Sequence, residues 1–258
     1  LTAYETLQRA GYGFSAHRHP KHPEQWSTHL AYCSDDYREH LSQNIEADFV
    51  PNTHRAHLVA KVNEAFGFRG EACTYDTACN SLLAGETSAA LTGGVNILTQ
   101  PQITIGLDRG FFLSASSQCM TLDDAGAGYS RADAVSIMLL KRLPDAVRDG
   151  DPILAVISSA ATNHSGESFS ITHPHGPTQK RLYQSGMLAS KTLPHEYSYI
   201  EMHGTGTQSG DFEEVTGIVQ TFGEGKRGEK TSPLVLGSVK ANIGHSEAAS
   251  GASSIIKT

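Results

Sequence analysis

The sequence predicts an α/β fold with buried sheets, and three observations support this prediction. Short apolar runs such as residues 134–140 alternate with helix-like segments such as residues 177–190, as in proteins whose sheets are covered by helices. Of the 258 residues, 38% are hydrophobic and 18% charged, which is typical of a folded protein rather than a disordered one. No internal repeat or low-complexity linker interrupts the pattern, so composition predicts no domain boundary.

The first third of the chain contains candidate helices and strands in alternation. Residues 1–10 have apolar side chains at helical spacing, and residues 53–66 form a second candidate helix that begins at a capping threonine. Residues 29–33 and 72–75 favour extended structure, whereas residues 14–26 are rich in His and Pro and predict a loop.

The rest of the chain continues this alternation. Strands are predicted at residues 87–91, 134–140, 153–161, 197–202 and 234–239, and Gly93 and Gly94 are expected to turn the chain after the first of them. Helices are predicted at residues 143–148, 177–190 and 211–222, and residues 101–112 are predicted to be a loop. Asp211 and Glu214 have the spacing of a capping box at the start of the last helix.

Composition and charge exclude several classes of function. The formal net charge is −7 without a basic run, which argues against nucleic acid as a partner. No apolar run is long enough to span a bilayer and no signal peptide is recognised, so we expect no membrane partner. Four scattered cysteines predict neither a disulfide framework nor a CxxC metal site, and they fit a reducing, cytoplasmic environment. The histidines near residues 17–22 and 173–175 lack the spacing of a helical metal site, so no metal is predicted.

Cys79 is the candidate nucleophile. It follows a short β-favouring run and precedes residues that can start a helix, so we expect it at a strand-to-helix turn. Backbone N–H groups without helical partners and the positive end of the helix dipole favour the reactive thiolate there, and iodoacetamide should label Cys79 fastest. A cysteine outside a disulfide is also commonly a buried structural residue, and this segment alone leaves both interpretations open.

Two histidines far downstream stand at the ends of predicted strands. His203 follows residues 197–202 and precedes Gly-Thr-Gly-Thr, while His245 closes the segment Lys-Ala-Asn-Ile-Gly-His at residues 240–245. A single histidine is more often structural, but one cysteine and two histidines, each at the end of a predicted strand, form a specific pattern.

These segments resemble the active-site signatures of the β-ketoacyl synthase family of thiolase-like condensing enzymes, in the family's order. The resemblance rests on Asp-Thr-Ala-Cys at 76–79, His-Gly-Thr-Gly-Thr at 203–207 and Lys-Ala-Asn-Ile-Gly-His at 240–245. The resemblance covers most of the chain. The sequence between these motifs is similar to that of fungal iterative polyketide synthases of the non-reducing kind.

The resemblance implies a thiolase-like sandwich of two related α/β halves in five layers, α-β-α-β-α. The half with the nucleophile would span about residues 1–145, and the half with the histidines about residues 146–258. The start of the first half, the end of the second and a later Gly/Phe-rich loop are not recognised. We therefore expect a ketosynthase domain that is incomplete at both ends.

The resemblance also implies a decarboxylative Claisen condensation of an enzyme-bound acyl thioester with malonyl-acyl carrier protein in polyketide biosynthesis. Cys79 would accept the acyl group as a thioester, and its backbone N–H is a candidate oxyanion donor. His203 and His245 would donate to the enolate oxygen, or one of them would act as base toward a water that attacks the departing carboxyl group. Lys240 would fix the charge state of its neighbours, although a solvated lysine at a strand end is the simpler alternative.

Binding residues and partners are expected on the same basis. Thr205 and Thr207 would hydrogen-bond a phosphopantetheine arm, although ordinary turn chemistry also explains them. No cofactor is expected on this domain, since phosphopantetheine would be carried by the acyl carrier protein. The expected partners are that carrier protein, neighbouring polyketide synthase domains, malonyl and acyl thioesters, and a second copy in a homodimer. Glu214, Cys73 and Cys119 are expected to be structural.

The sequence departs from the family pattern directly after Cys79. Residues 80–84 are all that precede Gly-Glu at 85–86, where the family has a long buried helix; the shortfall is about eleven residues, near three turns. Loss of these turns would leave a void in the core. At roughly 24 cal/mol per Å³, the free-energy cost of this void would exceed a typical domain stability of about 5–15 kcal/mol. We therefore expect a chain break between Asn80 and Gly85, marking residues missing from the sequence; a continuous, well-packed chain would contradict this.

Three alternatives remain open from the sequence. A fatty-acid-type ketosynthase shares the motifs, although the wording of residues 203–207 favours polyketide synthesis. A cysteine hydrolase would pair one histidine with an orienting Asn or Asp, which is not the pattern seen. An inactive, truncated ketosynthase-like scaffold is favoured by the short segment after Cys79, whereas the retained cysteine argues against it.

Overall fold

The computed structural model describes residues 1–12, 25–32, 55–70, 72–73, 78–170, 173–223, 225 and 232–258. The chain divides into two compact units. The first comprises Leu1–Thr104, Ala132–Val156 and Ser246–Ile256, and the second comprises Ile105–Arg131, Ile157–His245 and Lys257–Thr258. None of the helices in the described part is long and apolar enough to cross a membrane.

Strands and helices occur in both units. The described strands are β1 Trp26–Tyr32, β2 Ala72–Cys73, β3 Ala89–Asn96, β4 Ala134–Lys141, β5 Tyr199–Glu201 and β6 Val235–Gly237. The described helices are α1 Thr2–Arg9, α2 Arg55–Phe66, α3 Ala78–Ala84, α4 Pro101–Arg109, α5 Leu143–Asp149, α6 Gly176–Ser190, α7 Gln208–Phe222, α8 Lys240–Ile243 and α9 Ser250–Lys257.

The first unit contains a four-stranded sheet, and its strand β2 precedes the helix that carries Cys79. Its order is β2-β1-β3-β4, in which β1 is parallel to β2 and β3, while β4 is antiparallel to β3. Thr28 pairs with Ala72, and Trp26 pairs with Ala89. Because β2 precedes α3 in the chain, its carboxyl end leads to the helix that carries Cys79.

A hydrophobic core lies against this sheet. The Trp26 ring lies 5.0 Å from the Tyr12 ring and 5.3 Å from the Phe68 ring, measured between centroids. Leu7 of α1 and Leu91 of β3 are buried in the same cluster. These contacts remove large apolar side chains from water, which is the main stabilising contribution for a sheet covered by helices.

The second unit positions both histidine motifs at the ends of paired strands. β5 and β6 are parallel, with Tyr199 opposite Val235. Met202, Ile218 and Phe222 form the core beside them, where α6 and α7 pack on each other. β5 ends shortly before His203, and β6 ends shortly before α8. Because the two strands are parallel, both histidine motifs begin at the same end of this small sheet.

Many predicted elements are confirmed. The helices predicted at residues 1–10, 143–148 and 177–190 correspond to α1, α5 and α6, and the strand predicted at 134–140 corresponds to β4. The strands predicted at 29–33, 197–202 and 234–239 are present with shifted ends as β1, β5 and β6. The capping Thr53, Cys33, most of the loop predicted at 14–26 and part of the strand predicted at 72–75 lie outside the described residues.

Gly93 and Gly94 do not turn the chain, because β3 runs through both of them. A Cβ atom on Gly93 would overlap the Ser136 carbonyl oxygen, and one on Gly94 would overlap the Ala248 carbonyl oxygen. The prediction of a turn is wrong because these glycines permit close approach of neighbouring backbone, which is their other use within strands.

The loop predicted at residues 101–112 is also wrong, since α4 occupies most of it. Pro101 stands at the first helical position, where its missing N–H would have had no helical partner. Gly106 lies inside the helix and costs about 1 kcal/mol relative to alanine, which neighbouring helix formers offset. A proline and glycines are loop signals only when no helical pattern surrounds them.

The strand predicted at residues 153–161 is not formed. This segment has no regular secondary structure, and none of the described strands pairs with it. Leu154 is 98% exposed, while Ser159 Oγ donates to the Gly186 carbonyl oxygen of α6 at 3.0 Å. An apolar run forms a strand only when an adjacent strand hydrogen-bonds to it. The sequence pattern of the run does not show whether such a strand is present.

The chain is continuous through α3 and the turn that follows it. The Gly85 N–H donates to the Leu82 carbonyl oxygen at 3.2 Å, and the Glu86 N–H donates to the Ser81 carbonyl oxygen at 3.0 Å. The expected break between Asn80 and Gly85 is therefore not found, and this prediction is wrong.

The short helix α3 is held at its C-terminal end by Arg142. The Arg142 Nη1 donates to the Leu82 carbonyl oxygen at 2.9 Å and to the Thr87 carbonyl oxygen at 3.0 Å. Ala78 and Leu82 are buried against Ala90 of β3. A seven-residue helix has too few turns to be stable alone, so these contacts hold it in place.

Replacing Arg142 by alanine is expected to lower the free energy of unfolding by about 1–3 kcal/mol, because two carbonyl oxygens lose a charged donor. Arg148→Ala is the matched control, since the Arg148 side chain is 67% exposed and solvent screens its ion pairs. Urea unfolding of both variants measures the difference. Equal losses in the two variants would argue against a capping role for Arg142.

Candidate active site

Cys79 is the second residue of α3, at the strand-to-helix connection that the sequence predicts. Its side chain is half-buried, whereas Cys119 in the second unit is buried. Of these two thiols, Cys79 is the more accessible to a reagent. Its preferential reactivity stays a prediction.

His203 follows β5, and the backbone around it is fixed by a carboxylate. The His203 N–H donates to Glu214 Oε1 at 2.6 Å, and the Gly204 N–H donates to Glu214 Oε2 at 2.9 Å. The Ser238 hydroxyl donates to the His203 carbonyl oxygen at 3.3 Å. The peptide groups of His203 are thus held on both sides, while its ring keeps a solvent-accessible face.

His245 lies beside His203. Its N–H donates to the Ser130 carbonyl oxygen at 2.7 Å, and its ring lies 5.0 Å from the Tyr129 ring. The His203 and His245 ring centroids are 5.3 Å apart, with the planes at 86°. The two rings are therefore close neighbours, as two donors to a single acceptor oxygen would have to be.

Lys240 is the first residue of α8 and is only 2% exposed. Burial lowers the pKa of Lys240, while the nearby carboxylates of Glu214 and Glu201 and the thiol of Cys119 oppose that shift. The alternative of a solvated lysine at a strand end is therefore wrong. The structure brings Lys240 together with both predicted histidines.

Both histidines are neutral at pH 7. Burial, reinforced by the positive charge of Lys240, lowers the pKa of His203 and of His245 from 6.5 to about 4, and His245 contributes further to the shift of His203. A neutral imidazole donates one N–H and carries no charge. Such a pair can stabilise an oxyanion that develops during a reaction through preorganised hydrogen bonds.

The structure corrects the role predicted for Asp211 and Glu214. Helix α7 begins at Gln208, so no capping box starts at Asp211. The Asp211 carboxylate accepts the Gly206 N–H at 3.2 Å and the Leu122 N–H at 2.9 Å. Burial raises the pKa of Glu214, although its two backbone N–H partners oppose the shift. Both carboxylates organise the loop after His203 rather than the helix start.

Sequence reasoning missed Glu214 and Cys119 as parts of this site. Asp211, Glu214 and Ile218 recur at helical spacing on the buried side of α7. A carboxylate at a core position of an amphipathic helix is the signal that would have found Glu214, since buried carboxylates require partners. No comparable signal marks Cys119, whose place beside Lys240 depends on tertiary packing.

Thr205 and Thr207 lie on the loop after His203. Thr205 is buried, and its hydroxyl is 3.2 Å from the Thr207 hydroxyl. Between them, Gly206 adopts a left-handed φ of 81°, and a Cβ there would lie 2.6 Å from the Met120 nitrogen. The loop can therefore approach residues 119–120 closely, and a substrate-binding role for the two threonines stays a prediction.

No metal centre is formed by the described residues. Within the ranges that the structure covers, no group of three or more His, Cys, Asp or Glu side chains is arranged to hold a metal ion. His17, His19 and His22 lie outside those ranges.

Acidification is expected to destabilise the fold between about pH 6.5 and pH 4. The folded-state pKa of each histidine lies below its unfolded value, so the unfolded chain binds more protons in this window. The stabilisation is complete above pH 6.5 and is lost as the pH falls toward 4. The slope is at most about 1.4 kcal/mol per pH unit for each histidine, and smaller for the solvent-accessible His203.

Urea unfolding at a series of pH values measures this slope. The double variant His203→Asn/His245→Asn lacks both titrating groups and should show a flatter dependence. An identical slope in the wild type and the double variant would contradict the lowered pKa values.

Solved structures similar to this chain are ketosynthase domains. An oxazolomycin ketosynthase domain from Streptomyces albus superposes with a TM-score of 0.87 at 28% identity, covering 99% of this chain and 47% of that one. A ketosynthase from module 6 of the bacillaene synthase of Bacillus subtilis gives a TM-score of 0.85 at 27% identity, covering 98% and 45%. These matches confirm the thiolase-like α/β fold class.

The chain belongs to the β-ketoacyl synthase family. Residues 1–146 match the model of the beta-ketoacyl synthase N-terminal domain, and residues 154–258 match the model of the C-terminal domain. Members of this family are acyltransferases that catalyse Claisen condensations.

Curated relatives with substantial identity are fungal polyketide synthases. Polyketide synthase 2 of Metarhizium anisopliae is 45% identical over 268 aligned positions, and polyketide synthase 1 of Metarhizium acridum is 44% identical over 271. Each alignment covers 99% of this chain and 12% of the relative, so the chain spans about an eighth of those proteins. The chain is thus similar to one part of these polyketide synthases, and the family models match it as a β-ketoacyl synthase.

The alignment with the first of these relatives contains gaps on the side of this chain. The first alignment has 268 positions whereas the chain has 258 residues, so at least ten positions of that relative face a gap in this chain.

Proposed function

We propose that this chain is the ketosynthase region of a fungal iterative polyketide synthase of the non-reducing kind. It would join an enzyme-bound acyl thioester to a malonyl unit on an acyl carrier protein. The observation that carries the proposal is the perpendicular pair of neutral histidines, His203 and His245, with Lys240 buried beside them. Similarity to Metarhizium polyketide synthases favours this role over a fatty-acid-type ketosynthase.

The first step is acyl transfer to Cys79. The thiolate attacks the carbonyl carbon of an incoming acyl thioester, and the carrier thiol leaves as the new thioester forms. The position of Cys79 as the half-buried second residue of α3 supports this role. Its backbone N–H is the proposed donor to the oxyanion formed in this step and in the last.

The second step is decarboxylation of the malonyl thioester. The bond to the carboxyl carbon breaks, and its electron pair moves into an enolate whose oxygen becomes negative. His203 and His245 each donate one N–H to that oxygen, which lowers the energy of the transition state. The carboxyl group leaves as CO₂, or as bicarbonate if one imidazole instead activates an attacking water.

The third step forms the carbon–carbon bond. The enolate carbon attacks the Cys79 thioester carbonyl, the C–S bond breaks, and the Cys79 thiolate is regenerated with a β-ketoacyl thioester on the carrier. Burial, reinforced by the positive charge of Lys240, lowers the pKa of both imidazoles, so that they donate N–H groups without being protonated. Thr205 and Thr207 are the proposed contacts for the phosphopantetheine arm.

The proposed partners are an acyl carrier protein, neighbouring polyketide synthase domains and a second copy of the chain in a homodimer. Family membership supports the carrier, and the multidomain relatives support the neighbouring domains. A reducing cytoplasm would keep Cys79 as a thiol.

The function is tested by supplying the purified protein with acyl and malonyl thioesters of N-acetylcysteamine. We expect a β-ketoacyl thioester two carbons longer than the acyl donor, detected by mass spectrometry, and no product when the malonyl thioester is omitted. Absence of product from a cooperatively folded protein would contradict the proposal.

A second candidate is a ketosynthase-like scaffold without activity, and the brevity of α3 favours it. In this case the protein would still bind carrier protein or a second copy, yet neither decarboxylate a malonyl thioester nor accept an acyl group. The same assay therefore separates the two candidates.

A further inference from the structure

Glu201 is a buried carboxylate that neither family motif nor proposed chemistry accounts for. It ends β5, two residues before His203, and its side chain is only 7% exposed. A buried charge is tolerated when its hydrogen-bonding capacity is satisfied. Glu201 Oε1 accepts the Val239 N–H at 2.5 Å, and Oε2 accepts the Lys257 ammonium at 2.9 Å.

Tyr199 and Lys257 hold this carboxylate in place. The Tyr199 hydroxyl hydrogen-bonds to Glu201, and Lys257 Nζ donates to the Tyr199 hydroxyl at 2.7 Å. Burial alone would raise the pKa of Glu201, but the hydrogen bonds from Tyr199, Lys257 and the Val239 N–H outweigh it and lower the pKa. Glu201 is therefore ionised at pH 7.

The N–H group that Glu201 binds belongs to Val239, the residue directly before Lys240. Val239 is the residue preceding α8, and the Lys240 N–H donates to the Ser238 hydroxyl at 3.3 Å in the same turn. Helix α8 has only four residues and cannot fix its own orientation. The two buried carboxylates thus have separate roles, since Glu214 holds the backbone at His203 while Glu201 holds the backbone at Lys240.

We propose that Glu201 is a positioning residue for Lys240. Its carboxylate tethers the turn of Val239 and Lys240, and its negative charge helps to keep the Lys240 ammonium protonated beside the two histidines. The effect on catalysis rests on the proposed condensation, whereas the effect on Lys240 itself does not.

The charges around Lys240 define what a variant should change. Lys240 faces the carboxylates of Glu201 on β5 and Glu214 on α7, the thiol of Cys119, and the rings of His203 and His245. Glu201→Gln keeps an oxygen that can accept the Val239 N–H but removes one negative charge. Glu201→Asp keeps the charge, but its side chain is one methylene too short to reach the same N–H group.

The first readout is the titration of Lys240, followed by NMR of protein labelled with ¹³C at lysine Cε, with the resonance assigned by Lys240→Arg. We expect Glu201→Gln to lower the pKa of Lys240 by about half to one unit, as expected for losing one nearby charge. Glu64→Gln is the matched control, because Glu64 is exposed on α2 in the other unit and should leave Lys240 unchanged. An unchanged Lys240 titration in folded Glu201→Gln would overturn the electrostatic part.

The second readout is the pH profile of malonyl-thioester decarboxylation. Glu201→Gln should move the alkaline limb to lower pH, and Glu201→Asp should lower kcat about tenfold with KM changed less than twofold, while Glu64→Gln matches the wild type. A wild type that does not decarboxylate, with the Lys240 shift intact, would refute the proposed function and not the positioning role. Wild-type kcat and pH profile in both Glu201 variants would refute the positioning role. If Glu201→Gln does not fold, Glu201→Asp decides by the same kinetic criterion.

Discussion

Removing either histidine is expected to lower the rate of malonyl-thioester decarboxylation by about 10²–10³-fold. In His203→Ala or His245→Ala one of two neutral N–H donors to the enolate oxygen is lost, while the other ring stays in place. The effect should appear in kcat, because the hydrogen bonds strengthen only as charge develops. Release of CO₂ or bicarbonate from malonyl-N-acetylcysteamine measures it.

His164→Ala is the control for this pair, because His164 is exposed in the segment before α6 and has no part in the proposed chemistry. It should decarboxylate at the wild-type rate. Wild-type decarboxylation in both His203→Ala and His245→Ala would exclude the histidine pair as the enolate-stabilising group.

Replacing Cys79 by alanine is expected to abolish condensation entirely while leaving decarboxylation measurable. Condensation needs a thioester on the sulfur, whereas decarboxylation needs only the donors on the other unit. The formation of β-ketoacyl product should fall below detection, and CO₂ release should persist.

Leu83→Ala provides the matched control on the same helix, since Leu83 is 81% exposed and lies four residues from Cys79. This variant should form product at the wild-type rate. Product formation by Cys79→Ala would show that another residue carries the acyl group.

The reacting residues were predictable from the sequence because their chemistry is recorded locally. Cys79, His203 and His245 each lie in a short motif that follows a strand-like run, and the structure places the two histidines together. Lys240 was predicted from the family resemblance alone, and its burial contradicts the alternative of a solvated lysine. Such residues are recognised by type and by their place at the ends of strands.

The residues that support them were not predictable in the same way. Glu214 and Glu201 act through backbone N–H groups that belong to other segments, at residues 203–204 and 239. Spacing along the chain says which residues share a helix face or a strand, but not which distant peptide group a carboxylate will meet.

Errors in the predicted fold have a related cause. Gly93 and Gly94 carry the signal of a turn, yet they lie within β3 and allow close approach of the Ser136 and Ala248 backbones. Residues 153–161 carry the signal of a strand, yet no described strand adjoins them. In both cases the contacts with neighbouring backbone segments, and not the local sequence alone, determined the secondary structure.

The brevity of α3 was recognised from the sequence, but its consequence was not. The free-energy cost of the missing helical turns predicted a chain break after Cys79. The structure instead shows a continuous seven-residue helix, which Arg142 caps and Ala90 packs against. These contacts hold the remaining turns in place, although the helix is short.

The most direct test of the central claim is a mass measurement of the protein after incubation with an acyl thioester. We predict one added acyl group per chain, located by peptide mapping on Cys79, removed by hydroxylamine and absent from Cys79→Ala. An acyl group on another residue, or none on a folded protein that retains its Cys79 thiol, would contradict the account.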